Sequence, residues 1–226
     1  MKNYKMIIEY NGTAFKGWQK QGNTDNTIQG KIEKVLSEIT GETVEIHGAG
    51  RTDAGVHAKG QVANFHLQEE KDCGVLKAKL NEVLPKTVSV KVIEETEPRF
   101  HARLNAKSKT YIYRLWDGED KAIFCEPFVW QCRDVTGEID VDILNRNLQQ
   151  FVGEHDFKEF SRYKGNKSTV RTVFEAKAER DGNLITVIFT GNGFLYNQIR
   201  MMVGFALTGE KYTAPAKGLM LENIEY

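Results

Sequence analysis

Apolar residues along this chain recur with two periods. Ile28, Ile32, Val35, Leu36 and Ile39 line one face at helical spacing, with Thr27 placed to open the helix and Gly41 to close it. Leu76, Leu80 and Leu84 repeat at i+4 before Pro85, which predicts a second helix over about 74–84. β-formers at 4–10, 42–47, 60–67 and 87–95 predict four strands around these helices. The order is β-α-β-β-α-β. Residues 96–107 read as a linker, after which the same order is expected again. Strands are predicted at 109–116, 170–179, 184–190 and 218–224, with a short further one at Phe128-Val129-Trp130. Helices are predicted at about 140–152, carrying Leu144, Leu148 and Phe151, and at about 194–207. Asp181-Gly182 marks a hairpin between two of the strands. The predicted fold class is therefore α+β. Two ferredoxin-like (RRM-like) halves, 1–98 and 99–226, would lie side by side with joined antiparallel sheets and a central cleft.

Composition narrows the function classes little. The chain has 226 residues, 31 Lys+Arg against 31 Asp+Glu, so no global field points to nucleic acid and such a partner must be argued from patches. Cys73, Cys125 and Cys132 are odd in number and lack Cys-x-x-Cys spacing, which supports neither a disulfide frame nor a metal. No apolar run resembles a signal peptide or reaches the length of a membrane span. A cytoplasmic protein with reduced thiols is the expectation.

The stretch from Gly48 to Ala58 (Gly-Ala-Gly-Arg-Thr-Asp-Ala-Gly-Val-His-Ala) stands apart. Turn chemistry alone accounts for it as a hairpin connection. A dinucleotide loop does not fit, because Asp53 occupies the third glycine position and a strand pattern follows where a helix is needed. The alternative is a shaped loop carrying one acid, Asp53, with small neighbours that leave a ligand room to approach.

Charge and aromatics gather in two places. Residues 99–114 hold five basic side chains and no acid, with Tyr111 and Tyr113 among them; residues 158–171 hold five more against Glu159. Such mixtures suit an RNA backbone with stacked bases, and equally a solvated strand face. The predicted late helix has a wide apolar stripe, which makes Arg200 conspicuous: either it snorkels to the surface, or its buried guanidinium needs a carboxylate, for which Asp53 is the candidate.

Several of these stretches together resemble tRNA pseudouridine synthases of the TruA type. Gly50-Arg51-Thr52-Asp53-Ala54-Gly55-Val56-His57-Ala58 is similar to the family's signature. Tyr10–Gln19, Thr27–Gly30, Phe100–Arg103, Lys109–Tyr111, Gly153–Phe157, Ser168–Thr172, Gly193–Gly204 and Ala214–Leu219 resemble its other motifs, in order. The resemblance implies an isomerase that converts uridine to pseudouridine in the tRNA anticodon stem-loop at positions 38, 39 and 40, without cofactor or metal, as a homodimer. It implies Asp53 as the aspartate that attacks the ribose or starts glycal formation, Tyr111 as the base-stacking residue, and Arg200 as the partner of Asp53. Arg51, His57, Arg103 and Lys109 are the other candidate substrate contacts. One departure is visible: only Thr208–Lys211 connects the late helix to Tyr212, where the family usually has a further helical segment.

Two rivals remain at the level of residues. A non-catalytic RNA-binding protein explains the element order and the patches, but it lacks the RNP1 pattern and leaves Arg200 unexplained. A nucleoside hydrolase would need a second acid or a metal near Asp53 to activate water.

Overall fold

A computed structural model describes residues 1–226 as two compact units, Met1–Lys107 with Leu221–Tyr226, and Ser108–Met220. In the first unit the chain runs β1 (Lys2–Tyr10), α1 (Ile28–Thr40), β2 (Ile46–Gly48), β3 (His57–Leu67), α2 (Cys73–Val83) and β4 (Val88–Thr96). β1 lies between β3 and β4, antiparallel to both, and β2 pairs antiparallel with β3. This is the split β-α-β arrangement expected of a ferredoxin-like half. Alternation along β1 puts Tyr4, Met6, Ile8 and Tyr10 inside, and α1 covers the sheet with Ile28, Ile32 and Leu36, each fully buried. Burying each of these aliphatic side chains contributes roughly 1.5–3 kcal/mol. Thr27 caps α1 by accepting the Gly30 amide, and Gly41 ends it at φ +75°.

The second unit begins with β5 (Ser108–Trp116), passes β6 (Trp130–Gln131), a single turn α3 (Arg133–Thr136) and α4 (Val141–Gln149), and continues with β7 (Gly153–Asp156), β8 (Val170–Asp181), β9 (Leu184–Gly191) and α5 (Gln198–Thr208). The sheet order here is β5-β9-β8-β7, each pair antiparallel, with β6 parallel to the end of β5. Leu144 and Leu148 of α4, Ile199, Met202 and Val203 of α5, and Ile185, Val187 and Phe189 of β9 are all buried, and α4 packs on β8 and α5. Asn145 fixes α4 to β8 by bonding both the amide and the carbonyl of Ala178, at 2.7 and 2.9 Å.

The differences from the sequence expectations have identifiable causes. The segment 97–107 is packed rather than linking: Asn3 donates to the carbonyls of Glu97 and Phe100, Asn64 accepts the Ala102 amide, and the Tyr226 hydroxyl donates to Ala102. The compact first unit accordingly runs to Lys107 and takes back the end of the last strand, β10 (Leu219–Glu225), where Lys59 pairs with Glu222 at 3.1 Å. β2 is shorter than expected and β3 starts at His57, so the tail of the signature loop is already strand. The hairpin turn is Gly182-Asn183, one residue beyond the expected Asp181-Gly182, with Gly182 at φ +57°. β7 carries almost no apolar side chain, which is why periodicity missed it. α5 begins at Gln198, four residues late, because Asn197 adopts a left-handed φ of +62° and breaks the helix before it.

The acidic segment after β5 is anchored by a buried ion pair. Asp117, 2% exposed, receives both Arg180 terminal nitrogens at 3.1 and 2.7 Å and the Ile139 amide at 2.9 Å. Burial by itself would raise the Asp117 pKa; the Arg180 fork and the Ile139 amide outweigh it and hold the carboxyl below its ordinary value.

Candidate active site

The loop between β2 and β3 is shaped by a turn at Asp53. The Asp53 carbonyl accepts the Val56 amide at 3.1 Å, and Gly55, the third residue of that turn, sits at φ +80°, where a side chain would be strained. The N-terminal loop locks this turn from one side. Trp18 donates its amide to the Thr52 carbonyl at 3.0 Å, and the Tyr10 hydroxyl bonds Thr52 Oγ1 at 2.8 Å in the core. Gly12 donates to His57 Nδ1 at 3.0 Å, which fixes that nitrogen as the acceptor of the imidazole. Two glycines make this interlock possible. A Cβ on Gly12 would lie 1.9 Å from the Val56 carbonyl oxygen, and one on Gly17, at φ +95°, 2.8 Å from the Thr52 oxygen.

These contacts revise the expected purpose of the small residues. A Cβ on Gly48 would meet the Trp18 indole at 2.5 Å, so that glycine makes room for protein rather than ligand. Phe15 and Trp18, conspicuous in the sequence as loop aromatics among lysines, are 5% and 1% exposed and belong to the core. The residues that hold the Asp53 loop, Tyr10, Gly12, Gly17 and Trp18, were visible in sequence only as part of the N-terminal motif. Nothing in their spacing shows that they reach a loop forty residues later.

The first unit thus carries Asp53, half-buried, with Arg51 and Arg103 exposed to solvent and His57 buried at 1% exposure. His57 acts there as a brace for Gly12. The second unit carries Lys109, Tyr111 and Arg200. Tyr111 lies on β5 opposite Phe189, 7% exposed, with its ring edge-on to Phe194 at 5.4 Å. Arg200 is half-buried on α5; its Nε donates to the Ala214 carbonyl at 2.7 Å and Nη1 to Asn197 Oδ1 at 2.9 Å. Those two bonds fix the plane of the guanidinium. The Arg200 carbonyl in turn accepts the Ala214 amide, so the short connection after α5 doubles back along the helix. It packs so closely that a Cβ on Gly204 would be 2.1 Å from the Tyr212 oxygen.

A single acid on a braced loop can open a glycosidic bond, because a carboxylate stabilises or traps the positive charge that develops at the sugar. No group of three or more His, Cys, Asp or Glu side chains is placed to hold a metal ion. No helix is long and apolar enough to cross a membrane.

The profile of the family described as tRNA pseudouridine synthase matches residues 6–105 and 148–225. The chain belongs to this family. It is 40% identical to tRNA pseudouridine synthase A 2 of Bacillus cereus (strain ZK / E33L) over 248 aligned positions, covering 100% of both chains. It is 46% identical to tRNA pseudouridine synthase A of Bacillus sp. (strain KSM-64) over 206 positions, 90% of this chain and 83% of that one. Among solved structures, a Cbf5-Nop10-Gar1 complex is similar at a TM-score of 0.37 and 13% identity, over 96% of this chain and 47% of that one, a likeness too faint to carry an argument. As a tRNA pseudouridine synthase the chain is an isomerase that modifies tRNA. The family's matched residues include the Asp53 loop, Tyr111's neighbour strands and α5, and leave out 106–147, the stretch that contains Tyr111 and the acidic segment.

Proposed function

We propose that this isomerase acts on uridines of the anticodon stem-loop, at positions 38, 39 and 40, with Asp53 as its reactive carboxylate and without cofactor. The observation that carries the reading is the bracing of the Asp53 turn from four sides: Thr52 through its carbonyl and its hydroxyl, Val56 through its amide, and His57 through Gly12. A carboxylate held this way needs little rearrangement to meet a sugar. In the proposed reaction the N1–C1′ bond of uridine breaks, either as Asp53 adds to C1′ or through a glycal after loss of the 2′ proton. The uracil turns while it stays bound, and C5 bonds to C1′ as the Asp53–C1′ bond breaks or as the proton returns to C2′ of the glycal; the C5 proton then leaves, and N1 gains a proton. Atoms balance without redox or an energy source.

In this proposal Tyr111 supplies a face for the turning uracil and helps remove the C5 proton. Arg200 keeps the Asp53 carboxylate ionised, as an opposite charge does. Arg51, Arg103 and Lys109 hold phosphates or the displaced strand. A base inside a stem must leave its stack at a cost of a few kcal/mol, which phosphate contacts offset. A homodimer working in the cytoplasm completes the proposal.

Incubation with tRNA tritiated at uridine C5 tests it. Tritium should be released from the anticodon arm without free uracil, and Asp53→Asn should bind tRNA but release none. Free uracil would mean a hydrolase, and release at the wild-type rate by the Asp53→Asn variant would remove Asp53 from the mechanism.

A further inference from the structure

The turn that leads into α5 puts a tyrosine on the surface of the second unit. Tyr196 is 54% exposed, directly before Asn197. Asn197 is the chain's single non-glycine residue with positive φ, and its side-chain oxygen is held by Arg200 at 2.9 Å. The same turn is tied from within by the Leu195 amide, which donates to Gln198 Oε1 at 2.8 Å. Continued helix through 194–197 would have given Tyr196 a helical neighbour on each side. The left-handed residue instead leaves its ring standing clear.

Two arginines come close to the turn that carries Tyr196. The Arg162 amide donates to the Tyr196 carbonyl at 3.0 Å, and its guanidinium meets only the Thr213 hydroxyl, at 3.4 Å. Near the start of the turn, Arg171 Nε is the nearest atom to where a Cβ on Gly193 would stand, at 3.9 Å. The Arg171 guanidinium donates to the carbonyls of Ser168 and Val170, at 3.0 and 2.6 Å. Neither arginine pairs with a carboxylate. Glu159, the one acid between Lys158 and Arg171, is engaged by Lys211. Lys164 and Lys167 add exposed positive charge to the same stretch. An exposed aromatic face on a turn near two arginines without acidic partners is the local chemistry of single-stranded RNA binding: a base stacks on the ring and neighbouring phosphates meet the guanidiniums.

We propose that Tyr196, Arg162 and Arg171 form a contact site for an unpaired nucleotide of the tRNA other than the reacting uridine. It rests on the reading of tRNA as substrate and adds to it a place where loop nucleotides, rather than stem, are held. Binding there is non-covalent and involves no proton transfer.

Equilibrium binding of the full-length protein to an RNA stem-loop, and to the same stem closed as a continuous duplex, tests the site. Tyr196→Ala should weaken stem-loop binding about tenfold, within the range a lost stacking platform gives, while Tyr196→Phe retains it and duplex binding is unchanged. The double variant Arg162→Ala/Arg171→Ala should flatten the dependence of log Kd on log salt by about 1.4, two single-strand phosphate contacts at about 0.7 each. All three side chains are outside the core, so melting temperatures should match the wild type. Unchanged stem-loop affinity and salt slope in such folded variants would overturn the site. Equal losses on stem-loop and duplex would overturn the stacking role. The wild-type tritium assay separates the two levels: no release sinks the isomerase reading itself, whereas normal release with unaltered binding by Tyr196→Ala sinks only this inference.

Discussion

Asp53 and Asp117 carry the same carboxyl group into opposite settings. Asp117 is nearly inaccessible and its oxygens are taken by the Arg180 fork and the Ile139 amide, so its charge is spent on tying β5, the acidic segment and β8 together. Asp53 is half-buried on a turn whose shape comes from its neighbours, through Thr52, Val56 and His57. The Asp117 carboxylate ties distant segments together, and the Asp53 turn is itself tied by residues of the N-terminal loop.

That contrast predicts opposite consequences for the same substitution. Asp53→Asn should lower pseudouridine formation at least about 10³-fold, or about 4 kcal/mol of barrier, with a smaller loss of unfolding free energy than Asp117→Asn. Tritium release and urea denaturation measure the two sides. A large loss of stability with residual activity would erase the contrast. Gly12→Ala attacks the bracing directly, since its new methyl would collide with the Val56 carbonyl. The turn must shift, and a misplacement on the order of 1 Å costs roughly 100-fold in rate. Overpacking should also cost about 1–3 kcal/mol of stability, read from the same urea curve.

Asp117→Asn should act the other way. It leaves Arg180 without its counter-charge and should cost about 3 kcal/mol, the lower end for breaking a buried pair, because Arg180 keeps partial access to solvent. Turnover per folded molecule should stay near wild type. The pH dependence gives an independent check. Asp117 has a folded-state pKa below its unfolded one, so its contribution is complete above the ordinary carboxylate range and is lost as pH falls through the depressed folded value. The stability gap between wild type and Asp117→Asn should therefore be constant near neutrality and shrink below about pH 4. A gap that widened in acid would mean that the pair does not carry the effect.

The same contrast explains what was legible in the sequence. The helices α1 and α2 followed from apolar spacing and caps, because their stability comes from local period and one buried face. The Asp53 loop was noticed for its composition, and its chemistry was suggested by resemblance. Its bracing was not legible, because the Tyr10–Thr52 and Gly12–His57 contacts join residues more than forty positions apart and depend on strand register. The Asp117–Arg180 pair was hidden for the same reason. In sequence, Asp117 is one of eight acids between 117 and 142, and nothing there singles it out. The late start of α5 depends on one asparagine adopting a conformation that apolar periodicity cannot register.

The smallest expected effect is the sharpest probe of the bracing. The Tyr10 and Thr52 hydroxyls meet in the core at 2.8 Å, and burial raises the Tyr10 pKa, so the phenol stays neutral and able to donate. Tyr10→Phe removes one hydroxyl while keeping the ring that stacks near Trp18, at 6.0 Å between centroids. It leaves the Thr52 hydroxyl in the core with one partner fewer and should cost about 1 kcal/mol. Thr52→Val should cost a similar amount. If the bond is what joins the strand to the loop, the double variant should lose less than the sum of the singles by about 1 kcal/mol, and both singles should lower kcat with little change in tRNA affinity. Additive losses, or a change in affinity alone, would show that the Asp53 turn is held by its backbone bonds and that the hydroxyl pair merely fills the core beside it.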